Sequence, residues 1–193
     1  MKLPVNEIFY SLQGEGMHTG RAAVFIRLSG CNLHCSFCDT DHSAFTLMEV
    51  EEIVREVKGY RSRTVIVTGG EPSLFDLREL TSALHAEKCR VHVETNGTRE
   101  LRGDFDWITC SPKKETDPPY NVDESIAQKA DELKLVFTGE SAFDLGEISG
   151  RFATDNRFLQ PCSGENIKET VEAVLAYPGW RLSLQTHRMI SIK

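Results

Sequence analysis

Cys31, Cys35 and Cys38 stand in one short stretch, with three and then two residues between them. Thiolate is a soft ligand that suits zinc and iron–sulfur centres, and spacing this short lets one loop wrap one centre. The odd number carries information. A closed structural zinc site takes four ligands, and a simple iron–sulfur cluster takes four thiolates. Three thiolates can hold three irons of a cubane and leave the fourth iron open to a ligand from outside the chain. Spacing alone leaves two other readings open. One is a zinc site completed by His34 or His42. The other is a disulfide framework, which suits short secreted chains, whereas the N-terminal residues here read as lacking an apolar leader. Cys89, Cys110 and Cys162 occur singly and read as small buried hydrophobes.

Other segments could meet a ligand. Gly69-Gly70-Glu71-Pro72 offers two glycines, which let backbone carbonyls approach a cationic group, and Glu71 adds a negative charge nearby. By itself that tetrapeptide is a turn, and so is Gly14-Glu15-Gly16. Arg27 lies near the end of the apolar run Ala22–Leu28. An unpaired buried cation is costly, so Arg27 requires a carboxylate from the protein or from a substrate. Asp39 and Thr40, taken locally, read as a loop-closing hydrogen-bonded pair. His34, His92 and His187 are isolated and read as structural or solvent-facing, because a single histidine is weak evidence of a ligand.

The elements that must position these residues follow from periodicity. Strands are expected at Ala22–Leu28, Thr64–Thr68, Arg90–Thr95, Phe105–Cys110, Glu132–Phe137, Arg157–Gln160 and Arg181–Gln185. Thr46 to Glu49 reads as a capping box opening a helix over Val50–Val57 that Gly59 ends. Ser73 reads as the cap of a second helix with Leu74, Leu77, Leu80 and Leu84 on one face. Short helices are expected after Asp123 and over Ile167–Ala176. Asn96-Gly97 to Phe105 is too short to hold a helix. Strands alternating with amphipathic helices predict parallel β-α units. The cysteine loop, Gly69-Gly70-Glu71, Asn96-Gly97, Ser111-Pro112-Lys113 and Gln160-Pro161 all follow strand C-termini, the ligand face of parallel barrels. The chain therefore reads as an α/β protein, an incomplete β/α barrel with its site at one mouth.

Composition bounds the rest. At 193 residues, one domain spanning 1–193 is the default. The net charge of −7 argues against nucleic-acid binding through phosphates, and no run approaches membrane-spanning length. A cytoplasmic location, where thiols stay reduced, is expected.

The C-x3-C-x2-C loop with Phe37 before its last cysteine, joined to Gly69-Gly70-Glu71-Pro72, resembles the radical S-adenosylmethionine (SAM) enzymes. Leu12 to Gly16, Arg27, Cys38-Asp39-Thr40, Thr68 and Ser111-Pro112-Lys113 together resemble one branch, the 7-carboxy-7-deazaguanine synthases of queuosine and 7-deazapurine biosynthesis. The resemblance implies a 4Fe-4S cluster on Cys31, Cys35 and Cys38, whose electron cleaves SAM to methionine and a 5′-deoxyadenosyl radical. It implies SAM contacts from Phe37, Cys38, Asp39, Gly70, Ser111, Pro112 and Lys113. It further implies substrate contacts from Leu12, Gln13, Gly14, Arg27 and Thr68, and a Mg²⁺ ion on Thr40. The implied reaction is ring contraction of 6-carboxy-5,6,7,8-tetrahydropterin to 7-carboxy-7-deazaguanine with loss of ammonia. A homodimer and an electron donor such as flavodoxin are implied partners. Two alternatives remain: a glycyl-radical-enzyme activase of the same superfamily, and a non-catalytic zinc-binding adaptor.

Overall fold

In the computed structural model, which describes residues 1–38, 40–139 and 145–193, the apolar run Ala22–Leu28 is strand β2. β4 (Thr64–Gly69) runs parallel to it, with Arg27 beside Thr68. Both strands carry four consecutive buried residues, the pattern of strands covered on both faces. β5 (Arg90–Thr95), β6 (Trp107–Cys110), β7 (Glu132–Phe137), β8 (Arg157–Pro161) and β9 (Arg181–Leu182) follow, each parallel to the one before. The described residues form one nine-stranded sheet in the order β3-β1-β2-β4-β5-β6-β7-β8-β9, with β3 and β9 at its open edges. This is the incomplete β/α barrel expected from the alternation of elements.

Side-chain parity on the strands divides core from cavity. Val24, Ile26, Leu28, Val65, Val67, Val91, Val93, Leu133, Leu135 and Leu159 point into one apolar core. They share it with Val50, Ile53 and Val57 of helix α1 (Val50–Lys58) and with Leu80 and Leu84 of helix α2 (Arg78–Ala86). Arg27, Thr68, Glu94, Lys134 and Gln160 occupy the other parity and line a cavity inside the curved sheet. A period of two thus puts the apolar set under the helices and the polar set inside.

Several local expectations are corrected. Lys2–Leu12 is a long strand, β1, antiparallel to β2, which its polar residues and an irregular register between Val5 and Glu7 had hidden. Thr46–Glu49 is strand β3, antiparallel to β1, because Thr46 and Leu47 pair with Val5 and Pro4. The capping box therefore begins at Glu49, whose N–H donates to Glu52 Oε2 at 2.8 Å. Ser73 does not cap α2. It lies in a 3-10 turn, Pro72–Leu74, capped by Glu71, and α2 starts only at Arg78. Leu77 N instead donates to Arg102 O at 2.7 Å, which holds the segment out of the helix.

β6 starts at Trp107 rather than Phe105, and β9 stops at Leu182. Beyond β9, Thr186 N bonds Gly14 O at 2.9 Å, drawing the chain off the sheet into helix α6 (Thr186–Met189). Asp123 caps α3 (Glu124–Lys129) and α5 spans Ile167–Ala176, both as expected, and no helix joins β5 to β6. Helix α4 (Leu145–Arg151) was not anticipated. No helix among the described residues is long and apolar enough to cross a membrane.

Candidate active site

The three thiols of the cysteine loop face one cavity of about 300 Å³ at the C-terminal ends of the parallel strands. Cys31, Cys35 and Cys38 are free, and Cys38 N donates to Cys35 O at 3.1 Å, so the loop turns tightly between its last two cysteines. Leu33 N points at Cys31 Sγ at 3.4 Å, a donor of the kind that stabilises a thiolate. Burial pushes the Cys31 thiol up. It pushes Cys35 up to about 11, with nearby Glu115 adding to the effect, so metal loading must displace protons from this loop. Among the described residues no three His, Cys, Asp or Glu side chains converge on a single ion. Three free thiols on one wall and a backbone donor to sulfur fit a cluster held by three thiolates.

The glycines beside this loop serve the protein first. A Cβ on Gly70 would lie 1.9 Å from Gly30 O, and one on Gly69 2.1 Å from Leu28 O. Gly70 N donates to Leu28 O at 3.0 Å and Glu71 N to Gly30 O at 2.8 Å. Glycine is thus demanded by the close approach of the β4 end to the chain entering the cysteine loop. The expectation that Glu71 offers charge to a ligand is also corrected. Its carboxylate is fully buried and accepts from Ser73 N at 2.9 Å, Thr95 Oγ1 at 2.6 Å and Asn96 N at 2.7 Å.

Phe37, Gly70, Ser111 and Lys113 share the cavity with the thiols, whereas Pro112 is buried behind it. Asp39 lies outside the described residues. Lys113 Nζ donates to Ser111 O at 2.8 Å and Ser111 Oγ at 2.5 Å, and burial depresses its pKa. Thr40 and His42 also line the cavity.

Leu12, Gln13, Gly14, Arg27 and Thr68 line the same space. Arg27 Nε donates to Glu7 Oε1 at 3.0 Å, the carboxylate partner its burial required. Burial would raise the Glu7 carboxyl, but Lys193 and Arg27 beside it hold it below its ordinary value. Phe9 and Phe25 stack at 4.9 Å as a flat wall, with Arg27 and Lys193 5.8 and 5.2 Å from the Phe9 ring centroid.

The strands also bring in residues that pattern reading passed over. Glu94 Oε1 accepts from Gln13 Nε2 at 2.9 Å and Glu94 Oε2 from Thr68 Oγ1 at 3.0 Å. Lys134 Nζ pairs with Glu15 and lies 3.9 Å from Glu94 Oε1. Glu15 Oε1 further accepts from Gln185 Nε2 at 2.8 Å and Gln160 Nε2 at 3.2 Å. Burial would raise Glu15, yet Lys134 first, with Gln185 and His187 adding, holds it down to about 2. Burial likewise disfavours the Lys134 ammonium, and the carboxylates of Glu15, Glu94 and Glu132 outweigh it, so Lys134 stays charged. The available signal was period two: Glu94 and Lys134 interrupt apolar strands at inward positions.

The Radical SAM superfamily model matches residues 25–114. Over all 193 residues the chain is 51% identical to a 7-carboxy-7-deazaguanine synthase from Bacteroides thetaiotaomicron, covering 100% of both chains. A 7-carboxy-7-deazaguanine synthase from Synechocystis sp. is 38% identical, with 98% of this chain and 93% of that one covered. Among solved structures, that of QueE from Escherichia coli superposes with a TM-score of 0.78 at 29% identity, over 95% of this chain and 94% of that chain. The peptide-bound SuiB of Streptococcus suis, 14% identical with a TM-score of 0.53, covers 79% of this chain and 46% of that chain and shares the fold alone.

Proposed function

The chain belongs to the radical SAM superfamily and, within it, to the 7-carboxy-7-deazaguanine synthases, and we infer from this the working of its cavity. It converts 6-carboxy-5,6,7,8-tetrahydropterin to 7-carboxy-7-deazaguanine by ring contraction with loss of ammonia. The observation that supports this reading most is that one cavity of small-molecule size holds both the three thiols and an acid-binding polar set.

Cys31, Cys35 and Cys38 would hold the 4Fe-4S cluster, and Phe37, Cys38, Asp39, Gly70, Ser111, Pro112 and Lys113 would bound SAM. When bound, the cluster and SAM together supply the one-electron chemistry that removes a hydrogen atom from the pterin. Arg27 presents its terminal nitrogens to the substrate carboxylate, since only Nε is committed to Glu7 among the described residues. Gln13 and Thr68 set Glu94 by donating to both of its oxygens, and Glu94 can accept from the N–H groups of the pyrimidine ring. Leu12 and Gly14, with the Phe9–Phe25 wall, bound the flat ring system and exclude water. Lys134 remains protonated and acts as a fixed cation beside Glu15 and Glu94, not as a proton shuttle.

Thr40 would offer its hydroxyl to Mg²⁺, an ion that keeps most of its waters and needs few protein ligands. We also place one domain over 1–193, a homodimer, a flavodoxin-type electron donor and a cytoplasmic location within this reading. The full-length similarity to synthases favours it over a glycyl-radical activase, whose substrate is a protein.

The test is anaerobic. The reconstituted chain is given dithionite, SAM, Mg²⁺ and 6-carboxytetrahydropterin, and products are followed by mass spectrometry. 7-Carboxy-7-deazaguanine is expected. Deoxyadenosine without it would keep the SAM chemistry and reject the substrate.

A further inference from the structure

Asn32, between Cys31 and Cys35, does not line the cavity. Its side chain turns to the connection after β5. Nδ2 donates to Thr98 Oγ1 at 2.9 Å, and Oδ1 accepts from Asn96 Nδ2 at 3.1 Å. Asn96 Oδ1 in turn accepts from Thr98 N at 2.9 Å and from Thr98 Oγ1 at 2.7 Å. Three side chains therefore close a ring of hydrogen bonds across Asn96-Gly97-Thr98. Glu71 anchors that ring from below, accepting from Asn96 N at 2.7 Å while its own N–H holds Gly30 O at 2.8 Å.

The ring matters because it ties the centre of the cysteine loop to the connection after β5. The loop's ends are tied: Ser29 Oγ donates to His42 O at 2.8 Å, and Asn6 Nδ2 donates to Asp41 O at 2.7 Å and Ala44 O at 2.6 Å. Between Cys31 and Cys38, among the described residues, the side-chain hydrogen bonds to the rest of the chain come from Asn32. Asn32 is thus the anchor.

We propose that Asn32, Asn96, Thr98 and Glu71 form a clasp that sets the cysteine loop in its cluster-receiving shape before the cluster arrives, with Asn32 as its positioning residue. The proposal rests on the assignment of the three thiols to a cluster. A loop ordered in advance does not have to be ordered on binding, so the cluster is held more tightly. Groups that orient metal ligands from behind commonly change metal affinity by about 10–100-fold.

The full-length chain is reconstituted anaerobically, iron and sulfide per chain are measured, and loss of cluster colour to a chelator is timed. Melting of the metal-free chain is recorded in parallel. Asn32→Ala and Thr98→Val are each expected to lose the cluster about tenfold faster, with metal-free melting close to wild type. The double variant should be no worse than the single ones, since both break one ring, and Thr98→Ser should restore retention. Wild-type retention in both Asn32→Ala and Thr98→Val overturns the clasp. So does accelerated loss matched by equal loss of metal-free stability with no rescue by Thr98→Ser. Because the readout is cluster retention, it stays informative if product assays reject the pterin substrate.

Discussion

Arg27 lines the cavity from β2 with Nε bonded to Glu7, and in the proposed reading its remaining nitrogens meet the substrate carboxylate. Lysine keeps the charge but presents a single point donor, so it loses paired recognition of a carboxylate. Hydrogen bonds to charged groups are worth about 1.5–3 kcal/mol. Arg27→Lys should therefore raise KM for the pterin acid about 10–100-fold in steady-state assays, with the SAM requirement unchanged. Thr40 offers a single hydroxyl in the same cavity. Thr40→Ala should move the Mg²⁺ titration of activity to higher concentration, and an unmoved titration would remove Thr40 from the metal site.

At the scale of elements, the end of β4 is wedged against the start of the cysteine loop. Gly70 has no room for a side chain, because the obstacle is the backbone carbonyl of Gly30 and not a movable tip. Gly70→Ala must displace the chain just before Cys31, and overpacking of this sort costs about 1–3 kcal/mol. A lower melting temperature of the metal-free chain together with reduced iron content is expected. The other side of the barrel interior is closed by the β1–β2 connection. Its 3-10 turn, Gly16–His18, sets the His18 ring 4.8 Å from His92 and 4.4 Å from Trp107. Gly16 adopts a φ of +61°, and a Cβ there would strike the Glu132 carboxylate at 2.0 Å, so glycine lets this turn sit inside the sheet.

Across the whole molecule, Glu15 ties the β1–β2 connection to the far strands through Lys134 on β7, Gln160 on β8 and Gln185 after β9. An open sheet gains a closing contact from this latch. Its carboxyl is held at about 2 against an ordinary 4.5. The stability it contributes is therefore present above about 4.5 and lost as pH falls towards 2. His92 works higher on the scale. Burial first, with His18 and Arg90 adding, lowers it to about 4 from 6.5. The unfolded chain takes up that proton before the folded one, so stability also falls as pH drops from 6.5 to about 4. Denaturant unfolding against pH should show both declines. Glu15→Gln should flatten the lower one and His92→Phe the upper one.

The triple-cysteine loop was legible because its thiols are close in sequence and face one cavity. Gly69-Gly70-Glu71-Pro72 was legible only as a turn, since the burial of Glu71 depends on Thr95 and Asn96. The parallel strands were legible too, because burial on both faces leaves an apolar run that reads without neighbours. β1 was not, as its pairing on both sides and its irregularity near Val5 depend on partners distant in sequence. Thr46 was misread for the same reason: pairing with Val5 outweighed its local capping preference. Sequence by itself determined the family resemblance and which residues were expected to meet a cluster, a carboxylate and SAM. Only the tertiary structure decided that Glu15, Glu94 and Lys134 meet in one cavity and that Asn32 turns away from it. Those contacts join residues up to 119 positions apart, and no local periodicity encodes which charges will meet across a closed core.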